Sequence, residues 1–152
     1  MPVNVRLTWT SPMRFDGIAG SGGAILMDAR PEHGGGGAGP SPMETVLFAL
    51  AGCTGMDVVD VLRKMRAPLE GLAIDVEAER ATEHPRVFTK IRLRYAAWGT
   101  GLRLDQVERA VSLSQEKYCS VSAMLRATAA LTFDLSVSDR PVEPARRRRL
   151  GD

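Results

Sequence analysis

The chain is poor in the residues that mark metal, nucleic-acid and membrane chemistry. Its 152 residues include only two cysteines and two histidines. His33 and His84 stand apart and no Cys-x-x-Cys occurs, so metal-ligand spacing is absent along the sequence. Aromatic residues make up 5%, and no basic stripe carries interleaved aromatics, which argues against a nucleic-acid partner. No uninterrupted apolar run reaches membrane-spanning length, so no membrane is expected. The first residues, MPVNVRLTW, lack the charged, apolar and cleavage regions of a signal peptide, and a cytoplasmic location is the expectation. The Gly-rich stretch 34–42 precedes a helix, but it lacks the Lys-Ser/Thr of a P-loop and the GxGxxG spacing. It reads as a linker, and no cofactor is expected.

The net charge of +2 misleads. The end of the chain, 140–152, holds five Arg against Glu143 and Asp152, more than the whole excess. Its Arg146–Arg149 run follows Pro141 and Pro144 without apolar periodicity and reads as a disordered tail. The remainder, 1–139, is expected to be one domain, long enough to bury a real core. Hydrophobic content of 44% and charged content of 25% are ordinary for such a domain.

The densest apolar segment is 41–66, SPMETVLFALAGCTGMDVVDVLRKMR. Ser41 suits an N-cap and Pro42 the first helical position, and Ser-x-x-Glu with Glu44 forms a capping box. At about 100° per residue, Met43, Val46, Leu47, Leu50, Thr54, Val58, Val61 and Met65 share one stripe. Phe48 and Val59 fall off it, which predicts a buried central helix. Cys53 lies mid-helix in Ala-Gly-Cys-Thr-Gly, where each Gly costs helix propensity of about 1 kcal/mol against Ala. That cost suggests close approach of another backbone or a ligand. Cys53 is either one more small buried apolar residue or a reactive thiol that needs a partner. Asp57, one turn on, shares its face. An unpaired carboxylate there opposes a thiolate, unless it holds a cation or caps something at an interface.

The flanking sequence alternates. Val3, Val5, Leu7 and Trp9 predict a half-buried strand, and 13–18 and 24–28 complete a small antiparallel meander. Residues 72–80 and 87–95 form a hairpin with opposite charges on its outer face. Residues 102–118 read as a helix with Leu104, Val107, Val111, Ser114 and Tyr118 on one side. Ser120 then suits the N-cap of a short helix through Arg126, which puts Cys119 at its entrance, where the partial positive charge favours thiolate. Leu131, Phe133, Leu135 and Val137 close the domain as a strand. The expected class is α+β, with antiparallel sheets on two central helices. With a cytoplasmic location disfavouring a structural disulfide, Cys53 and Cys119 are either two buried bystanders or a redox pair.

The helix-borne Cys of SPME-x7-GC together with the later EKYCSVSAML resembles the OsmC/Ohr family of thiol peroxidases. The order of elements over Val3 to Val137 is similar as well. The resemblance implies an intertwined homodimer with two active sites at the subunit interface. It implies reduction of hydroperoxides, organic ones in the Ohr branch, with Cys53 peroxidatic, Cys119 resolving and a dithiol reductant. It also implies an Arg from the N-terminal strands, held by a Glu in the first turn of the Cys helix. Arg14 and Glu44 are the candidates. With Pro42 and Cys53 aligned, the family Glu falls on Met43, so Glu44 is one residue late, and one residue rotates a helical side chain by about 100°. The alternatives are a capping-box role for Glu44, an Arg14 paired with Asp16 or solvent, and a non-catalytic OsmC-fold protein binding a small apolar or thiol-reactive ligand at the dimer cleft.

Overall fold

The computed structural model describes residues 2–143; the expected disordered tail lies outside them from residue 144 on. The chain divides into two compact units, one ending at Ala49 and one beginning at Leu50.

In the first unit, β1 (Val5–Thr10), β2 (Arg14–Ala19) and β3 (Ala24–Met27) form the expected antiparallel meander, in the order β1-β2-β3. A single 3-10 turn, Pro31–His33, follows. Asp28 anchors the glycine-rich loop that comes next: its carboxylate accepts the N–H groups of Ala29 at 2.8 Å and Ala38 at 3.0 Å. The linker is therefore a folded loop held by one buried carboxylate. The prediction of a half-buried β1 is not met within the chain. All six of its residues are exposed, Trp9 at 60%. Alternation marks two faces, but β2 is its sole pairing partner and covers only an edge.

Helix α1 (Pro42–Lys64) runs from the first unit into the second. The capping box forms as its sequence dictates: Glu44 N–H donates to Ser41 Oγ at 3.2 Å, and Ser41 N–H donates to Glu44 Oε2 at 2.8 Å. The buried stripe is narrower than predicted and consists of Leu50, Thr54, Val58 and Leu62, at i, i+4 spacing. Phe48 and Met56 stand 68% and 76% exposed. By length and composition α1 could cross a bilayer, contrary to the expectation from uninterrupted runs, because the average over a window tolerates its Gly, Thr and Cys. Its buried stripe nevertheless serves the core of the second unit.

That unit is built on a three-stranded sheet, β4 (Gly71–Arg80), β5 (Phe88–Trp98) and β6 (Ala130–Ser138), in the order β4-β5-β6. The predicted β4–β5 hairpin is present, with Glu77 on Arg94 at 3.1 Å and Glu79 on Lys90 at 3.3 Å across its exposed face. The register shifts at Glu79/Arg80, so Phe88 is buried as well as Ile91, Leu93, Tyr95 and Ala97. The sheet is mixed, not antiparallel: β6 runs parallel to β5, with Tyr95 opposite Leu135. The intervening α2 (Leu104–Leu113) and α3 (Ser120–Leu125) supply the crossover that a parallel pair requires. Leu50, Val58 and Leu62 of α1 are fully buried, as are Val107, Ala110 and Val111 of α2. The predicted helix 102–118 is α only as far as Leu113. It widens to a π turn over Ser114–Tyr118, and Cys119 N–H donates to Ser114 C=O at 2.8 Å. Such widenings recur at functional sites.

Candidate functional site

The tertiary structure brings both cysteines together. Cys53 projects from the middle of α1 and Cys119 precedes α3; both are free thiols. Their Sγ atoms and one carboxylate oxygen of Asp57 lie within 4.8 Å of one another. Cys53 is half-buried and Cys119 is buried.

Cys119 is itself the N-cap of α3, one residue earlier than the Ser120 expected from cap preferences. Its Sγ accepts the N–H of Ser122 at 3.4 Å. Burial pushes the Cys119 thiol up; the Ser122 hydroxyl and N–H oppose that, and Cys53 beside it adds to it. Cys119 is thus held protonated longer than an ordinary thiol, contrary to the thiolate expected at a helix entrance, because burial outweighs the N–H it accepts. The Ser122 Oγ is fully buried against Cys119 Sγ and makes no well-aligned hydrogen bond.

Gly55 explains one of the small residues around Cys53. A Cβ there would meet Ile74 Cδ1 at 3.1 Å, so the glycine lets α1 sit close on β4. Gly52 faces open space. The outer side of this contact is a groove of about 850 Å³ between α1 and β4, lined by apolar Met56, Leu72 and Ile74 and by charged Asp60, Arg63 and Glu70 among others.

A continuous polar chain, buried at Thr54, Tyr95, Ser114 and Gln115, ends at Asp57. Ser114 Oγ donates to Asp57 Oδ2 at 2.9 Å. With that proton committed, Ser114 accepts from Thr54 Oγ1 at 2.8 Å, and Thr54 in turn accepts from Tyr95 Oη at 2.7 Å. Gln115 Nε2 donates to Tyr95 Oη at 2.9 Å, and Arg126 Nη2 donates to Gln115 Oε1 at 3.1 Å. One carboxylate therefore orients every donor back to a guanidinium. Burial raises the Tyr95 phenol while its bonds to Thr54 and Gln115 oppose the rise, so it stays a neutral donor. Asp57 is thereby neither an unpaired carboxylate nor free to turn. Thr54 and Ser114 carried a signal in the sequence, as hydroxyls on otherwise apolar stripes. Tyr95, Gln115, Arg126 and Ser122 carried none.

Arg14 and Glu44 are both engaged within the first unit. Arg14 Nε and Nη2 hold Asp16 bidentately at 2.9 and 2.7 Å, which raises the guanidinium and lowers the carboxylate. Glu44 lies below the ordinary carboxylate range, chiefly through the Ser41 N–H. Its arginine partner is Arg30, at 3.3 Å, a residue the sequence did not single out.

A mixed sheet crossed by a cysteine-bearing helix, with a second cysteine returning to it, defines a small α+β class of thiol protein. A model of the family described as OsmC-like protein matches residues 34–134. Protein YhfA of Escherichia coli strain K12 is 40% identical over 135 residues, which cover 89% of this chain and 98% of that protein. The crystal structure of a hypothetical protein from Aquifex aeolicus VF5 superposes with a TM-score of 0.80 at 30% identity, over 93% of this chain and 99% of that one. An organic hydroperoxide resistance protein OsmC from Legionella pneumophila shares the fold, with a TM-score of 0.68 at 18% identity over 90% and 98% of the two chains. The chain belongs to the OsmC-like protein family.

Proposed function

We propose that this chain is a thiol-dependent hydroperoxide reductase of the cytoplasm, acting as a homodimer on organic hydroperoxides. The observation that carries the proposal is the gathering of two free thiols from distant segments, Cys53 and Cys119, within 4.8 Å. Peroxide resistance in the name of a fold relative supports it at the level of the family. Cys53 is the more accessible thiol and is the attacking one. Its thiolate displaces alkoxide from the distal peroxide oxygen, the O–O bond breaks, the alkoxide takes a proton, and sulfenic acid remains on Cys53. Cys119 attacks that sulfur, water leaves, and a Cys53–Cys119 disulfide forms. An external dithiol reduces it by exchange. Closing the thiols requires a local shift, since a disulfide is about 2.05 Å long. The π turn before Cys119 is the segment that gives. Arg14 and Glu44 are candidates by family resemblance alone; Arg14 is held by Asp16, and Arg30 is the counter-ion of Glu44.

Mass spectrometry after one equivalent of an organic hydroperoxide tests it. The expected product is a Cys53–Cys119 linked peptide that dithiol removes. Two free thiols after such treatment favour the alternative, an OsmC-fold protein that binds a thiol-reactive ligand without turnover. The Asp57 carboxylate beside the thiols is the observation on that side.

A further inference from the structure

We propose that Cys53, Asp57 and Cys119 form a site for one thiophilic divalent cation of the zinc class, whose occupancy withholds both thiols from peroxide. The ligands come from two segments that no sequence spacing links. Their three donor atoms already lie within 4.8 Å of one another. A tetrahedral zinc with bonds of about 2.3 Å to sulfur and 2.0–2.2 Å to oxygen needs those atoms roughly 3.5–3.8 Å apart, so a small contraction closes the site. Two thiolates and one carboxylate are a soft donor set that selects zinc over magnesium or calcium.

Two further features point to a bound ligand. The Asp57 carboxylate is fixed through one oxygen by Ser114, at the end of a hydrogen-bond chain that starts at Arg126, the outer-shell support that orients metal ligands. The Ser122 hydroxyl lies against Cys119 Sγ, fully buried and without a well-aligned hydrogen bond. A buried hydroxyl without such a bond costs free energy. A metal-bound water in the fourth position would give it one. Two thiol protons leave as the cation binds, and the metal–sulfur bonds take up the electron pairs with which Cys53 would attack peroxide. Binding stands on geometry alone; the block on chemistry rests on the peroxidase proposal.

The test is a titration of the reduced full chain with Zn²⁺, in competition with a chromophoric chelator and without oxygen. Co²⁺ replaces it for spectroscopy. The expected result is one equivalent per chain, with a thiolate-to-cobalt charge-transfer band and a tetrahedral spectrum, and no binding of Mg²⁺. Cys53→Ser and Cys119→Ser should remove the band. Asp57→Asn should weaken Zn²⁺ by at least tenfold, and Ser114→Ala by about 10–100-fold, the range for outer-shell partners. If a cysteine variant fails to fold, wild type alkylated at Cys53 takes its place. Absence of a stoichiometric site, or an Asp57→Asn chain that binds Zn²⁺ as tightly as wild type, overturns the proposal. Sulfenate formation is read in parallel, with and without Zn²⁺. Sulfenate in a chain that holds no Zn²⁺ sinks the metal site and leaves the peroxidase standing; Zn²⁺ held by a chain that never forms sulfenate does the reverse. Zn²⁺ held while sulfenate forms at an undiminished rate overturns the block.

Discussion

Thr54 Oγ1 and Tyr95 Oη lie 2.7 Å apart, joining the cysteine-bearing helix to the central strand through two buried hydroxyls. Thr54 takes part in three such bonds, to Tyr95, Ser114 and Gln115. The helix turn that carries Cys53 is thus positioned by polar contacts as well as by Leu50 and Val58.

Thr54→Val leaves Tyr95 and Ser114 each short of a partner in a place water does not reach. The expected loss of stability is about 1–3 kcal/mol, the cost of stranding buried polar groups. Urea unfolding checks it, with the midpoint falling and the slope unchanged. An unaltered midpoint would show that the chain is redundant.

Cys119→Ser should leave a sulfenate on Cys53 that a dimedone-type probe traps after peroxide. Cys53→Ser should abolish labelling altogether. Labelling of Cys119 in wild type would reverse the two roles.

The raised Cys119 thiol has a sign that can be measured. Because folding favours its neutral form, its contribution to stability is complete below the ordinary thiol value of 9.0 and is lost as pH rises through the raised folded value. Tyr95 adds a loss of the same sign above 10.0. The melting temperature of the reduced protein should therefore fall as pH climbs above about 9. In Cys119→Ala the fall should be shallower; parallel curves would mean that the thiol ionises as easily folded as unfolded. Iodoacetamide at pH 8 should accordingly modify Cys53 before Cys119.

We propose that a partner copy covers the exposed apolar side chains of α1 and β1. Phe48, Met56 and Trp9 stand 68%, 76% and 60% exposed in the single chain. Light scattering should give twice the chain mass of 16.5 kDa at micromolar concentration. Obligate interfaces bury more than about 2,000 Å², so a charge placed within one should dissociate it. Met56→Glu is expected to run as a monomer. A wild-type monomer would end the proposal of an obligate dimer.

Much of the fold was legible in the chain itself. The capping box of Ser41 and Glu44, the charge-paired β4–β5 hairpin and the strand pairing of the N-terminal meander appear as read, though β1 is exposed rather than half-buried. These features depend on residues a few positions apart, whose periodicity and caps local sterics enforce. Of the site, the sequence marked Asp57 on the Cys53 face and hydroxyls at Thr54 and Ser114, while the pairing of the two cysteines came by family resemblance.

The sequence by itself determined where helices and strands form, which side of each is apolar, and that two thiols exist. It could not set the parallel pairing of β6 on β5, the π turn that re-aims the chain before Cys119, or the exchange of Ser120 for Cys119 as the cap of α3. It offered Arg14 with Asp16 as one alternative, but it could not pair Glu44 with Arg30 or join Asp57 to Ser114. Whether Asp57 stands beside the thiols as a lone carboxylate or as a hydrogen-bonded, oriented one was decided by Ser114, Thr54 and Tyr95, from three separate elements. Hydrogen bonds act over about 3 Å, and only the packed chain brings such distant donors and acceptors within that reach.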